Sequence, residues 1–306
     1  MRVRVVGAGV IGLSCAVRLR EAGVDAHVIA DAHGVATTSA AAAALWYPYR
    51  VGPPELVRAW GRTTFHELRR LADDPATGVL VRPGVQHLRT PAEPPEWADD
   101  VPGFRVTHGG AGPYVGAWTF DAPVADTTAY LGWLAARLAT VGGTVSTGHV
   151  PSVDAALDGV DRVVLATGLG ARALPGDDGL VGGHGQVVLV RADQPVRRWV
   201  LDEDHPDGTV YVVPRRDDVV CGGIDHATGP AEPDPEVARA ILARCADVVP
   251  ELAGAEVVGH RVGVRPVRPS VRLDRDGDVV HCYGHGGAGF TLSWGCADEV
   301  RDLVLR

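Results

Sequence analysis

The hydrophobic pattern opens on a short apolar run. Residues Arg2 to Val6 read as the start of a buried strand. A glycine-rich turn spans Gly7 to Gly12. Val10 to Ala22 then places Leu13, Ala16 and Leu19 on one helical face, and Gly23 stops the helix. Ala26 to Ala30 is a second strand. Pro53 to Leu71 carries Leu56, Trp60, Leu68 and Leu71 at helical spacing, and Thr127 to Val141 repeats that pattern. Residues 79–120 read as short strands broken by proline and glycine, with a Pro-rich loop at 91–95. Asp161 to Leu165 is a further buried strand. From Gly185 to Gly223 the runs Val187–Val190, Tyr211–Val213 and Val219–Cys221 look like antiparallel strands. Pro235 to Val249 is helical, 256–272 and 278–284 are strands, and Ala288 to Leu305 is a terminal helix.

The order of these signals carries information. Nucleotide-domain signals occur at the N-terminus, near residue 165 and at the C-terminus, while antiparallel signals fill the gaps. No internal repeat is present. At 306 residues, two domains that interleave along the chain are expected.

Composition narrows the function classes. The chain is 46% hydrophobic and 22% charged, with a net charge of −9, so a nucleic-acid partner is not expected. No stretch of about 18 apolar residues predicts a membrane span. Met1 runs directly into a strand without a signal-peptide pattern, and the ending Val304-Leu305-Arg306 is no address signal. The cysteines Cys15, Cys221, Cys245, Cys282 and Cys296 are isolated and lie in apolar segments. They read as reduced core thiols of a cytoplasmic protein, and no metal site is expected.

The chemistry starts at Gly7-Ala8-Gly9-Val10-Ile11-Gly12, a G-x-G-x-x-G turn between strand and helix. The first glycine permits the turn. The second lets backbone approach a pyrophosphate, and the third packs helix on strand. Phosphates then meet the free N–H groups of the helix start. Asp31, at the end of the second strand, suits ribose hydroxyls. This motif alone does not choose between NAD and FAD. Val163-Val164-Leu165-Ala166-Thr167-Gly168 is a strand ending of the kind that brings a second loop to a flavin cofactor. The segment from Gly284 to Gly295 holds five glycines ahead of or within a helix, a start suited to stabilising negative charge on a reduced flavin.

The stretch Val279 to Ala297, with His281, Tyr283, Gly284, Gly286, Gly287, Gly289, Gly295 and Ala297, resembles the signature of the D-amino acid oxidase family. Cys282 departs from the usual residue there. Thr37-Thr38-Ser39 through Ala43-Ala44-Leu45-Trp46, Gly185-Gln186, Tyr211-Val212-Val213-Pro214 and Gly263-Val264-Arg265-Pro266-Val267-Arg268-Pro269 resemble further motifs of that family. The likeness spans essentially the whole chain.

The resemblance implies an α/β (α+β two-domain) fold, in which a Rossmann-like FAD-binding domain (1–50, 126–182 and 257–306) is interleaved with an antiparallel-sheet substrate domain (51–125 and 183–256). FAD would be held by Gly7, Ala8, Gly9, Val10, Ile11, Gly12, Asp31, Thr37, Thr38, Ser39, Ala43, Ala44, Leu45, Val150, Thr167, Gly168, Gly286, Gly287, Gly289, Phe290 and Thr291. Arg265 would clamp a substrate carboxylate in a bidentate pair, Tyr211 would donate to it, and a carbonyl near Gly287 would hold the amine. Arg268 is expected in a structural ion pair. The implied reaction oxidises a D-amino acid with neutral or basic side chain to a 2-oxo acid, ammonia and hydrogen peroxide, by hydride transfer from Cα to flavin N5. No acid or base residue is expected to take part.

Animal members of the family carry a second active-site tyrosine in a longer loop. Residues 204–209 are short and hold none, so a reduced lid is expected. Glycine or sarcosine oxidation and D-aspartate oxidation stay open as alternatives. For the latter, Arg215 and Arg216 could supply a second cation, against which Asp217 and Asp225 argue. A non-catalytic dinucleotide sensor would keep Gly7–Gly12 without needing Arg265 beside the C-terminal glycines. A D-amino acid and molecular oxygen are the expected partners, and a homodimer is an open option.

Overall fold

Strand β1 (Arg2–Ala8), helix α1 (Val10–Glu21) and strand β2 (Asp25–His33) form the opening unit of the computed structural model, which describes residues 1–224, 227–229 and 232–306. There follow α2 (Pro54–Leu71), β3 (Val79–Leu88), β4 (Arg105–His108), β5 (Gly116–Ala125), α3 (Thr127–Thr140), β6 (Val145–Thr147), α4 (Val153–Leu157) and β7 (Arg162–Leu165). The second half holds β8 (Val181–Arg191), β9 (Trp199–Asp202), β10 (Val210–Pro214), β11 (Val219–Gly222), α5 (Pro235–Val248), β12 (Glu256–Asp276), β13 (Val279–His285) and α6 (Gly289–Leu305).

One hydrogen-bonded sheet runs through all thirteen strands in the order β4-β5-β3-β9-β10-β11-β8-β12-β13-β7-β1-β2-β6. The pairs β13–β7, β7–β1, β1–β2 and β2–β6 are parallel. Strand β12 joins this part to the remainder, which is antiparallel except for the parallel pair β3–β9. Its first half pairs with β8 from Glu256 to Val267, and its second half pairs with β13 from Arg272 to Asp276.

Burial explains the patterns. Val188 and Val190 of β8 pack with Ala238, Ile241 and Cys245 of α5, whereas Val187 and Leu189 pack with Val213 and Val220. Both sheet faces are covered there, so the sequence reads as an unbroken apolar run. Of the short strands expected over 79–120, β4 has four residues, whereas β3 and β5 are ten-residue strands paired from Val79↔Ala125 to Leu88↔Gly116. Pro83 does not break the sheet, because β3 bonds to β9 only over Gly84–Gln86. Gly84 gives its space to the Trp199 indole: a Cβ there would lie 1.9 Å from the ring. Strand β6 and the five-residue α4 are too short for a periodic signal and were not expected.

Helices α1, α2, α3 and α6 pack into one large core with the parallel strands. Helices α2 and α6 touch backbone to backbone. A Cβ on Gly295 would sit 2.3 Å from Trp60 Cα and 2.4 Å from its carbonyl oxygen. Beside this contact the Thr64 hydroxyl accepts from Trp294 N and Gly295 N, and Trp294 Nε1 donates to the Tyr130 hydroxyl at 2.7 Å. Gly295→Ala should therefore force the helices apart and lower unfolding free energy by about 1–3 kcal/mol, read from urea melts. A melt that matches the parent would show that the crossing has slack.

Candidate active site

A cavity of about 690 Å³ opens above the carboxyl end of the parallel strands and runs over the antiparallel sheet. Its first end is made of backbone. Gly7 has φ +115°, and a Cβ there would lie 2.3 Å from the Ala166 carbonyl oxygen at the end of β7. Gly12 lies under Gly7, where a Cβ would approach the Gly7 oxygen to 1.9 Å. Helix α1 can therefore start right against the cavity. Its N-cap Gly9 has no capping side chain of its own. Ser39 Oγ instead accepts from Val10 N at 3.0 Å, crossing from the next loop.

The lining residues fit an elongated dinucleotide. The α1 start suits a pyrophosphate. Asp31 lies at one end, its carboxylate 3.1 Å from His149 Nδ1. Two buried polar atoms on the lining, Thr167 Oγ1 and His285 Nε2, find no hydrogen-bond partner among the described residues. Buried polar groups are normally satisfied, so these two are consistent with a polar ligand.

Of the residues expected at the cofactor, Gly7, Ala8, Gly9, Val10, Ile11, Asp31, Thr37, Thr38, Ser39, Ala43, Ala44, Leu45, Val150, Thr167, Gly168, Gly286, Gly287, Gly289 and Phe290 all line this cavity. Gly12 and Thr291 do not. Gly12 does its work one layer below, as the packing glycine of the turn. The Thr291 hydroxyl accepts from Tyr47 N and donates to Tyr47 O, fixing that loop to the start of α6.

The second end lies over the antiparallel strands. Arg265 on β12 and Tyr211 on β10 are separated by β8 and β11, yet their side chains meet. Glycines make the floor flat enough for this. A Cβ on Gly185 would lie 2.6–2.8 Å from the Arg265 guanidinium, and Cβ atoms on Gly222 and Gly223 would fall 2.1–2.7 Å from the Tyr211 ring. Arg265 Nη1 donates to the Ile224 carbonyl at 3.1 Å. Burial raises the Tyr211 phenol pKa despite the adjacent, hydrogen-bonded Arg265, so its hydroxyl stays a donor. The Arg265 stem also passes Gly287, 3.7 Å from where a Cβ would stand. Arg265, Tyr211 and the C-terminal glycine loop thus share one wall.

Several lining residues escape a reading of the sequence alone. The loop 204–209 holds no tyrosine, but Tyr47 and Tyr49 enter from a different segment; Tyr49 Cδ1 lies 3.1 Å from a Gly287 Cβ position. The signal was there in the alternation of Leu45, Tyr47 and Tyr49 toward the cavity with Trp46 buried behind. Glu203 also lines the cavity, although no acid was expected to stand out there. Burial raises its pKa, while a hydrogen bond from Tyr47, the charge of Arg50 and Gln86 oppose the rise. The same burial, followed by the Glu203 charge, pushes the Tyr47 phenol up.

Other candidates are drawn away. Arg215 is buried in an ion pair with Asp218 at 2.6 Å, and Arg216 donates to the Pro75 carbonyl. Neither lines the cavity, so the second cation that D-aspartate would require does not come from them. Asp225, weighed against those arginines, lies outside the described residues. Arg268 pairs with Asp177 at 3.1 Å, as a structural residue should. The ligand-type atoms of Cys282, His285 and Cys296 come within 4.8 Å of one another. At Cys282 a hydrogen bond with Cys15 lowers the thiol pKa but is outweighed by the hydrogen bond with Cys296 and by burial, and at Cys296 burial raises it, so both thiols stay protonated and are poor metal ligands.

Comparison with known proteins agrees with this arrangement. Residues 2–303 match the family model described as FAD dependent oxidoreductase. The chain is 46% identical over 313 residues to a D-amino-acid oxidase of Rubrobacter xylanophilus, covering 99% of this chain and 95% of that one. It is 40% identical to a D-amino-acid oxidase of Streptomyces coelicolor, covering 99% and 96%. The structure of glycine oxidase from Geobacillus kaustophilus superposes with a TM-score of 0.80 at 22% identity, over 99% of this chain and 94% of that chain, a likeness of fold.

His285 gives a stability test. Burial pulls its imidazole pKa down to about 4, below its ordinary value. Below pH 6.5 the unfolded chain takes up a proton that the folded chain refuses, so stability falls as pH drops toward 4. Between pH 7 and 5 the cofactor-free protein should lose about 2 kcal/mol more than His285→Asn in urea melts. Equal losses in the two proteins would refute the assignment.

Proposed function

The chain belongs to the family of FAD-dependent oxidoreductases, and on that premise we propose that it is a D-amino-acid oxidase. The observation that carries the reading is the meeting of Arg265 and Tyr211 over a glycine floor beside Gly287. A planar guanidinium and a phenol donor together suit one carboxylate. A dinucleotide sensor has no use for this pair.

In this reading the substrate carboxylate lies between Arg265 and Tyr211. Its amine faces a carbonyl near Gly287, and these anchors aim Cα at the cofactor. Fixing three points on one face selects one enantiomer. Gly7–Ile11, Thr37–Ser39, Ala43–Leu45, Thr167–Gly168, Gly286, Gly287, Gly289 and Phe290 would hold FAD, which when bound would supply the hydride acceptor and the route to oxygen. The raised pKa of Tyr211 keeps its proton on the phenol, where it serves binding and not base catalysis. Overall, a D-amino acid, oxygen and water give a 2-oxo acid, ammonia and hydrogen peroxide. The cytoplasm is the compartment this reading implies, since all five cysteines are buried and free. No helix among the described residues is long and apolar enough to cross a membrane. A homodimer is kept with the proposal, to be read from the mass in solution.

Two experiments test the reading. The purified protein should be yellow, and anaerobic mixing should bleach its flavin with D-amino acids. Bleaching by L-enantiomers alone, or by glycine and sarcosine alone, would overturn it. Arg265→Ala should retain FAD while KM for D-amino acids rises about a hundredfold or more. Unchanged turnover would remove Arg265 from the carboxylate site.

A further inference from the structure

On the cavity lining, Arg265 has a role in the reading above, and Asp31 with its neighbour His149 stands at the cofactor end. Glu203 has no such role. It stands at the end of a strand whose register is fixed by the sheet. Leu201 of β9 stands directly opposite Tyr211 of β10 and lines the cavity. Glu203 is the first turn residue after β9, and it too lines the cavity. The intervening Asp202 points the other way and is fully buried. Arg89 grips it at 2.8 and 2.9 Å, and Tyr114 donates to it at 3.0 Å. This clamp holds the end of β9 so that Glu203 faces the cavity.

The neighbours of Glu203 leave it acceptor-rich. The Tyr47 hydroxyl bonds it, and Gln86 Nε2 donates to its Oε1 at 3.4 Å. Gln86 is 6% exposed, and its own carbonyl oxygen is buried without a partner among the described residues. The nearby cation Arg50 is exposed, stacks on Tyr49 at 5.1 Å and does not line the cavity. Asp204 adds a second negative charge close by. A carboxylate that is half-buried in an apolar cavity needs a cation or a set of donors. From inside the cavity, the group that fits is an ammonium or guanidinium.

We propose that Glu203, supported by Tyr47 and Gln86, is the specificity residue that receives the cationic side chain of a basic D-amino acid. The inference rests on the D-amino-acid oxidase reading. Arg265 and Tyr211 would hold the substrate carboxylate over the glycine floor. The side chain would then run past Leu201 toward Glu203, with its methylenes against Leu201 and the Tyr47 ring. D-Lysine, D-ornithine and D-arginine have the matching pattern: an apolar stem and a charged tip.

The test compares D-lysine with D-norleucine, which shares its carbon chain and lacks the ammonium. For the wild-type holoenzyme, kcat/KM from peroxide formation should favour D-lysine by about tenfold or more. Glu203→Gln should lower kcat/KM for D-lysine about ten- to a hundredfold, mainly through KM, and leave D-norleucine within about threefold. Its flavin spectrum should match the wild type. Equal wild-type efficiency on the two substrates would overturn the assignment, and this ratio decides the matter even if E203Q loses FAD. A parallel loss on both substrates in a yellow E203Q protein would also overturn it. If neither these substrates nor D-alanine bleach the wild-type flavin, the oxidase reading itself fails and the role of Glu203 falls with it.

Discussion

How near helix α1 can come to strands β1 and β7 governs the rest of this structure. The helix start lies against the cavity because Gly7 and Gly12 carry no side chain and Ala166 carries a small one. One methyl at either glycine would meet a carbonyl oxygen at 2.3 Å or less. The closeness places the positive end of α1 on the cavity wall, with its first N–H groups turned toward it. It also fixes where β7 ends, and hence where Thr167 and Gly168 join the lining.

The same device recurs at the other end with a different partner. Around Gly7, missing side chains let backbone approach backbone. At Gly185, Gly222 and Gly223 they make room for a guanidinium and a phenol ring arriving from opposite sides. Strand β12 links the two uses, since it pairs with β8 beneath Arg265 and with β13 below the C-terminal glycine loop. A chain with net charge −9 thereby places a guanidinium on the wall of an interior cavity, beside a phenol whose burial keeps it protonated.

Much of this is legible in the amino-acid sequence. Long helices, buried strands and the glycine motifs announce themselves locally, because periodicity and turn chemistry act over a few residues. Arg265 and Tyr211 were legible through the motifs around them. What stayed hidden depends on register. That Glu203 lines the cavity depends on the pairing of Leu201 with Tyr211 at the end of β9, and no local pattern states which strand lies next to which. The length of β3 and β5 was masked by Pro83 and Gly84, which are tolerated because of where β9 pairs and where Trp199 packs. Thr291 sits in a cofactor-like motif but is claimed by the backbone of Tyr47. Beside Tyr211, two further tyrosines of the cavity lining are Tyr47 and Tyr49, not residues of the loop in which family resemblance would seek one.

The burial of sulfur has a consequence for endurance. On the proposed chemistry each turnover releases hydrogen peroxide inside the molecule that made it. Thiolates and exposed thioethers are the side chains that peroxide attacks first. Here Cys15, Cys221, Cys245, Cys282 and Cys296 are all buried, hydrogen bonds between neighbouring thiols together with burial raise four of the five in pKa, and Met1 is the one methionine of the chain. An oxidised Met1 alters a terminus and leaves the core intact. Only Cys282 among the five comes to the cavity lining, and there it is 1% exposed with its thiol raised in pKa, so the sulfur nearest to the product is held in its least reactive form.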